Sequence, residues 1–253
     1  MILSLFSRRW ILTTLLVLAG VGVLARLGIW QLDRLAARRQ FNAHVTEQQS
    51  APALALDPIT LSDPDLEKAI TGMEYRMITA RGEFDFSHQV ALRNQAWGNE
   101  WGVHLLTPLR IAGSDQSVLV DRGWIPAEAF MSGDWSDFDE PGVVTVQGIV
   151  RASQSKPDYG KKNDPEGELK AWNFANVERI QEQTPYSLLP VYIQQAPDPT
   201  WTRLPYRSLP ELELTEGPHM GYALQWFSFA AILGIGYPFF IRKTQSGAKK
   251  KHA

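Results

Sequence analysis

The 253-residue sequence contains no cysteine. That absence removes disulfides, thiolate zinc sites, iron–sulfur clusters and the paired thiols of copper carriers. A domain placed outside the cytoplasm must then hold together by packing alone, which is feasible for a middle segment of this size. An excess of positive charge is lacking too: the formal net charge is -2, so no basic surface is available to release phosphate counterions, and nucleic acid is set aside as a partner. Catalytic signatures are also missing. There is no HExxH, G-x-S-x-G or P-loop, and no S-x-x-K accompanied by S-D-N and K-T-G, and the glycines of GVGVLARLG lie inside an apolar run, not between a strand and a helix. His88 and His104 suggest a metal pair but have no evident third ligand. Asp85, Asp121 and Arg122 read either as a catalytic acid with its partner or as turn residues and an ion pair at a sheet rim.

The 44% of hydrophobic residues are gathered at the two ends of the chain. After Arg8 and Arg9 an apolar run extends from Trp10 to Ala25 and, past Arg26, to Trp30, close to the ~20 residues a spanning helix needs. A cleaved signal peptide is the rival reading, but no small-x-small site precedes a polar start and the helical pattern continues through Gln31, Arg34, Leu35 and Arg38. A second apolar run, Met220 to Ile241, is closed by Arg242, Lys243 and a Lys249, Lys250, Lys251 tail, with Glu211, Glu213 and Glu216 before it. The positive-inside rule then puts the C-terminus in the cytoplasm, and two spans return the chain to its starting side.

The middle carries strand chemistry. Tyr75–Phe86, His88–Gln95, Trp101–Ile111, Ser117–Pro126 and Val143–Arg151 are β-branched or alternating, with turn residues between them, and LLPVYIQQ reads as a further strand. ANVERIQEQ (Ala175 to Gln183) reads as a short helix. The expected fold is a membrane protein with two transmembrane helices flanking a β-rich extracytoplasmic domain, an antiparallel meander closed as a barrel or sandwich with minor α content. The divisions are a cytoplasmic N-terminus (1–9), first transmembrane helix (10–30), helical extension and Pro-rich linker (31–70), β-rich domain (71–195), Pro-rich return segment (196–218), second transmembrane helix (219–241) and basic cytoplasmic tail (242–253). VDRGWIP, Val120 to Pro126, needs its glycine for room or a special dihedral and its tryptophan to fill a large slot. It reads either as a strand terminus with an aromatic plug or as an Arg and Trp surface for a partner.

GIWQLDR after the first apolar run, YRMITARGEF, LLTPLR followed by VLVDRGWIP, and HMGYALQWFSFA opening the last apolar run together resemble the SURF1 (Shy1) family from about Gly28 to about Phe240. The resemblance implies an assembly factor for haem-copper cytochrome c oxidase, not an enzyme. It acts in maturing the largest oxidase subunit, with bacterial members linked to haem a, and the implied home is the bacterial plasma (inner) membrane and its respiratory chain. The implied partners are that subunit, haem a synthase and the lipid bilayer. Gly28, Trp30, Gln31 and Arg34 match G-x-W-Q-x-x-R; Arg81 and Gly82 match an R-G pair; Arg122, Gly123 and Trp124 match R-G-W; His219, Tyr222 and Trp226 match H-x-x-Y-x-x-x-W. Two departures stand out: Pro218 precedes the histidine where a polar residue is usual, and LKAWNFANVER has neutral Ala175 or Asn176 where an acid is expected.

His219 looks like the family histidine associated with haem. With Gly217 as cap and Pro218 as first helical residue it falls in the first helical turn, where the dipole disfavours a cation, and neutral imidazole is the form that ligates haem iron. Tyr222, Trp226 and Phe229 or Ala230 share its face for the macrocycle, and Arg26 or Arg34 would pair with haem propionates. Trp30, Gln31, Arg122, Gly123 and Trp124 are the expected partner-binding set. The competing readings are an interfacial belt of His, Tyr and Trp, and a structural chaperone that docks on the oxidase subunit without binding haem.

Overall fold

The structure, a computed structural model, describes residues 7–156 and 163–250, with side chains of the last helix described to Thr244. Lys251 and part of the SKPDYGKKNDPEGE loop lie outside the described residues, as do the side chains of Lys249 and Lys250. The chain divides into two compact units, residues 1–44 with 213–253, and residues 45–212.

The first unit is a pair of helices, α1 (Ile11–Ser50) and the C-terminal α6 (His219–Lys250). Both are long and apolar enough to cross a membrane. On α1 the buried positions Thr14, Gly28, Gln31 and Leu35, and on α6 Ala223, Ala230 and Ile241, are separated by three, four or sums of threes and fours, the period that keeps one stripe facing a neighbouring helix. Thr14 Oγ1 bonds Tyr237 OH at 2.8 Å, a Cβ on Gly20 would meet Leu233 at 3.2 Å, and one on Gly28 would meet the Phe227 ring at 2.7 Å. Numbers rise along α1 as they fall along α6, so the pair is antiparallel. Glycine at position 28 lets the backbone accept the phenylalanine, the usual role of small residues between membrane helices. Leu12, Leu16, Leu224, Ile232 and Phe239 point outward, uncovered by protein, as a lipid-facing surface requires.

The second unit is a β-barrel. It contains β1 (Leu54–Leu56), α2 (Pro58–Leu61), α3 (Leu66–Ile70), β2 (Met77–Phe84), β3 (Val90–Trp97), β4 (Glu100–Ile111), β5 (Ser117–Pro126), α4 (Ala127–Ser132), β6 (Val143–Ala152), β7 (Ala171–Trp172), α5 (Val177–Gln181) and β8 (Leu188–Gln195). The pairing runs β2-β6-β8-β5-β4 and closes through β2 and β4, where Gly82 faces Ile111 and Phe84 faces Leu109. At the closure a Cβ on Gly82 would stand 2.1 Å from the Arg110 carbonyl oxygen, so only glycine permits the approach. Ile78, Ala80, Leu109, Val118, Val120, Val146, Val150, Val191 and Ile193 fill the interior. Trp172, Val177 and Ile180 cover Leu106, Leu119 and Tyr192 in a second cluster.

The barrel alternative is therefore the one adopted, with minor α content. It is not a pure meander: β1 lies parallel to β2 and β7 to β3, and β8 lies parallel to β5 after the chain's excursion through β6, β7 and α5. The stretch read as a Pro-rich linker also contributes to the core through Leu56, Leu61, Leu66 and Ile70. Its Pro58 opens α2 behind an Asp57 side chain that accepts from the Thr60 N–H, a helix-start use of proline.

Candidate functional site

One end of the helical pair carries a cluster of polar contacts. Arg38 donates from Nε to the Thr215 carbonyl at 3.0 Å and from its terminal nitrogen to the Glu213 carbonyl. Asn42 donates to the Leu214 carbonyl at 2.8 Å. Arg39 grips the Glu216 carboxylate with two bonds of 2.8 and 2.9 Å, the fork geometry that fixes both position and angle. Residues 213–216 are thus laid along α1 before Gly217, at φ 69°, turns the chain into α6. The Pro218 carbonyl accepts from the Tyr222 N–H at 3.1 Å, so Pro218 is the cap and His219 the first helical residue. The sequence reading had placed both one position later in the helix; the turn at Gly217 sets the difference.

His219 is half-buried, and its Nδ1 lies 2.8 Å from Oε1 of Gln31, itself buried in the seam. An amide oxygen only accepts, so Nδ1 is the donor to Gln31, and in the neutral ring Nε2 is then the nitrogen with the lone pair. Next along the helix come Tyr222, exposed, and Trp226, half-buried and edge-on to Phe229 at 6.2 Å.

Helical phase separates the two arginines. Gly20 meets Leu233 on one flank of the seam and Gly28 meets Phe227 towards the other. Arg34 falls on the Gly20 flank, the one that Tyr222, Trp226 and Leu233 share on α6, and its guanidinium lies 5.7 Å from the Trp30 ring centroid. Arg26 points away from α6 and pairs with Asp33 at 3.9 Å. Of the expected set the structure brings His219 and Gln31 into contact; by helical phase Tyr222, Trp226 and Arg34 lie on one flank of the pair and Arg26 on its far side.

The R-G-W stretch in the barrel has a different use. Arg122 and Trp124 are almost wholly buried, so they do not form the partner surface expected of them. Arg122 bonds Glu140 at 3.0 Å, Gln89 at 2.9 Å and the Phe138 carbonyl, and lies over the Phe84 and Phe86 rings at 4.9 and 5.1 Å. Glu140 also holds Arg207 with bonds of 3.1 and 3.0 Å. Trp124 and Tyr206 exchange two backbone bonds of 2.8 Å, and their rings stack 7° from parallel. Gly123, at φ 117°, would put a Cβ 2.4 Å from the Tyr206 carbonyl oxygen. The motif thus anchors residues 201–207 to the barrel: its glycine gives the room and its tryptophan fills the slot.

The two histidines considered as a metal pair each hold a carboxylate, His88 with Asp85 and His104 with Asp121, both at 2.8 Å. Burial opposes charge on His104, but the Asp121 carboxylate outweighs it through its charge and hydrogen bond, so the ring's pKa is raised. Asp85 also accepts from Ser87, Tyr186 and His88; burial works against its charge, yet these bonds bring its pKa down to about 2. Among the described residues no group of three or more His, Cys, Asp or Glu side chains is arranged to hold a metal ion.

Comparison with known proteins resolves the kinship. The SURF1 family profile matches residues 18–231. The chain belongs to the SURF1 family. It is 26% identical to a SURF1-like protein of Rickettsia bellii over 92% of both chains. It is 24% identical to a SURF1-like protein of Caenorhabditis briggsae, over 88% of this chain and 73% of that one, and 23% identical to surfeit locus protein 1 of Rattus norvegicus, over 86% and 72%. The SURF1 match spans nearly all of both units, from within α1 to within α6.

What the sequence missed is the pairing between motifs. Gln31 was assigned to a partner and bonds His219 instead; its phase with Gly28 and Leu35 marks it as seam-facing, but only the fold supplies the residue across the seam. Glu140, which joins Arg122 to Arg207, had no sequence signal at all.

Proposed function

We propose that this chain is an accessory protein, not an enzyme, that assists assembly of haem-copper cytochrome c oxidase by delivering haem a to the largest oxidase subunit. Membership in the SURF1 family supports the oxidase-assembly role. The observation that carries the haem part is the His219 ring at the N-terminal end of an apolar helix, whose Nδ1 is committed to Gln31, which leaves Nε2 as the nitrogen to offer a ligand. Haem a is the cargo in this reading, and the residues fit it. A neutral imidazole nitrogen is a haem-iron ligand, Tyr222 and Trp226 offer aromatic surface beside it, and Arg34 on the same flank is a cation suited to a propionate. Arg26 serves the bilayer interface instead, its long stem letting the charge reach water.

The proposed setting is the bacterial plasma membrane, with both termini cytoplasmic and the barrel outside. Acidic Glu211, Glu213 and Glu216 before α6 and basic Arg242 and Lys243 after it support that orientation. The proposed partners are the largest oxidase subunit, haem a synthase and the bilayer. The alternative, a chaperone that docks on the oxidase subunit without haem, is favoured by the β3–β4 hairpin, where Trp101 is 71% exposed and Trp97 37% exposed. Oxidase purified from cells dependent on this chain decides between them. The haem reading expects the His219→Ala background to give oxidase poor in haem a; full haem a occupancy in that background would favour docking alone.

A further inference from the structure

We infer that Gln31 is the positioning residue of the site: it sets the tautomer and ring angle of His219 so that Nε2 is presented outward as the ligating nitrogen. This rests on the haem reading above and deepens it. In water the imidazole ring favours the tautomer with hydrogen on Nε2, which would block that nitrogen as a ligand. An acceptor at Nδ1 reverses the preference, the arrangement by which ligating histidines are commonly held. Gln31 supplies such an acceptor at 2.8 Å from the neighbouring helix.

The surroundings make the acceptor stiff. Gln31 is 9% exposed, and one turn away on the same stripe Gly28 admits the Phe227 ring while Leu35 is buried on the other side. Glu213, Leu214, Thr215 and Glu216 are tied to Arg38, Asn42 and Arg39, which fixes how far α6 slides along α1. A slide of one residue, about 1.5 Å, would pull His219 out of reach of the amide. A glutamine also differs from the carboxylate found behind many ligating histidines, because it orients the ring without adding negative charge. The bond it supports is weaker, which suits a protein that must give its cargo up.

The test uses the full chain in nanodiscs, labelled with 15N-histidine, as wild type, Gln31→Leu and Gln31→Glu, with His219→Ala to assign the signal among the five histidines. Without haem, the wild type is expected to show Nδ1–H and an Nε2 lone pair at His219, Gln31→Leu to lose that preference, and Gln31→Glu to keep it. On titration with haem a, Gln31→Leu is expected to weaken binding about 10–100-fold. Gln31→Glu should restore binding and raise the iron–histidine stretching frequency, a signature that mere helix pairing would not move. A wild-type Nε2–H tautomer, or a Gln31→Leu chain with unchanged tautomer and affinity, overturns the inference. The expected tautomers with no haem binding in any chain would sink the haem reading and leave the Gln31 assignment standing, so the two failures are distinguishable.

Discussion

The buried network around Arg122 gives an asymmetric prediction. Glu140 faces two buried cations, Arg122 at 0% and Arg207 at 6% side-chain exposure. Glu140→Gln keeps the shape and removes the charge, leaving both guanidiniums in the interior with Asp139 acting electrostatically on Arg122, and Asp198 on Arg207, as the further compensation. Stranding buried charge in this way costs about 3–5 kcal/mol. Arg122→Met behaves differently. Glu140 keeps Arg207 and Gln89 keeps the Thr107 hydroxyl, while the Met side chain still packs on Phe84 and Phe86. What is lost is the bond to the Phe138 carbonyl, stranded at about 1–3 kcal/mol, and a desolvated cation–π contact of about 2 kcal/mol, the latter offset because no guanidinium then has to be buried. The net is about 1–3 kcal/mol, so the acid should be the costlier residue by about 2 kcal/mol, on the same principles. Urea unfolding of the detergent-solubilised full chain, followed by near-UV circular dichroism, measures both. Equal costs, or a larger one for Arg122→Met, would refute the reasoning that Glu140 is the hub.

Gly123→Ala should destabilise the barrel by about 2 kcal/mol or more, since φ is 117° and the new Cβ meets the Tyr206 carbonyl; a thermal midpoint within a degree of wild type would contradict the anchoring role. For His104 the folded pKa is raised above its ordinary 6.5, so its stabilising contribution is complete below about pH 6.5 and is lost as pH rises through the folded value. Midpoints measured from pH 5 to 9 should show that decline in the wild type and not in His104→Gln. Because the chain has no cysteine, single cysteines report topology cleanly: Ser132→Cys in the barrel unit should react with a membrane-impermeant maleimide in intact spheroplasts, and Thr244→Cys should not. The opposite pattern would invert the proposed orientation.

Much of the architecture was readable because it depends on local pattern. The apolar runs, the strand in LLPVYIQQ and the helix in ANVERIQEQ each declare an element through short-range chemistry, and β8 and α5 fall within those stretches. The barrel closure was not readable, since Gly82 meeting Arg110 is a contact between distant strands. Pro58 misled because proline opens helices as readily as it marks linkers. Arg122 and Trp124 misled because residue types favoured at interfaces are also the ones that fill and brace a crowded interior. His219 was legible by type and position, but its hydrogen-bonded state depends on Gln31, 188 residues away in the chain.

The account stands most directly on one spectrum. The full chain, purified in detergent from cells that make haem a, is compared by visible absorption with His219→Ala at equal yield. The account predicts a haem a spectrum in the wild type that the variant loses. A colourless wild type, or the same spectrum in both, would contradict it and return His219 and Gln31 to helix pairing at the membrane interface.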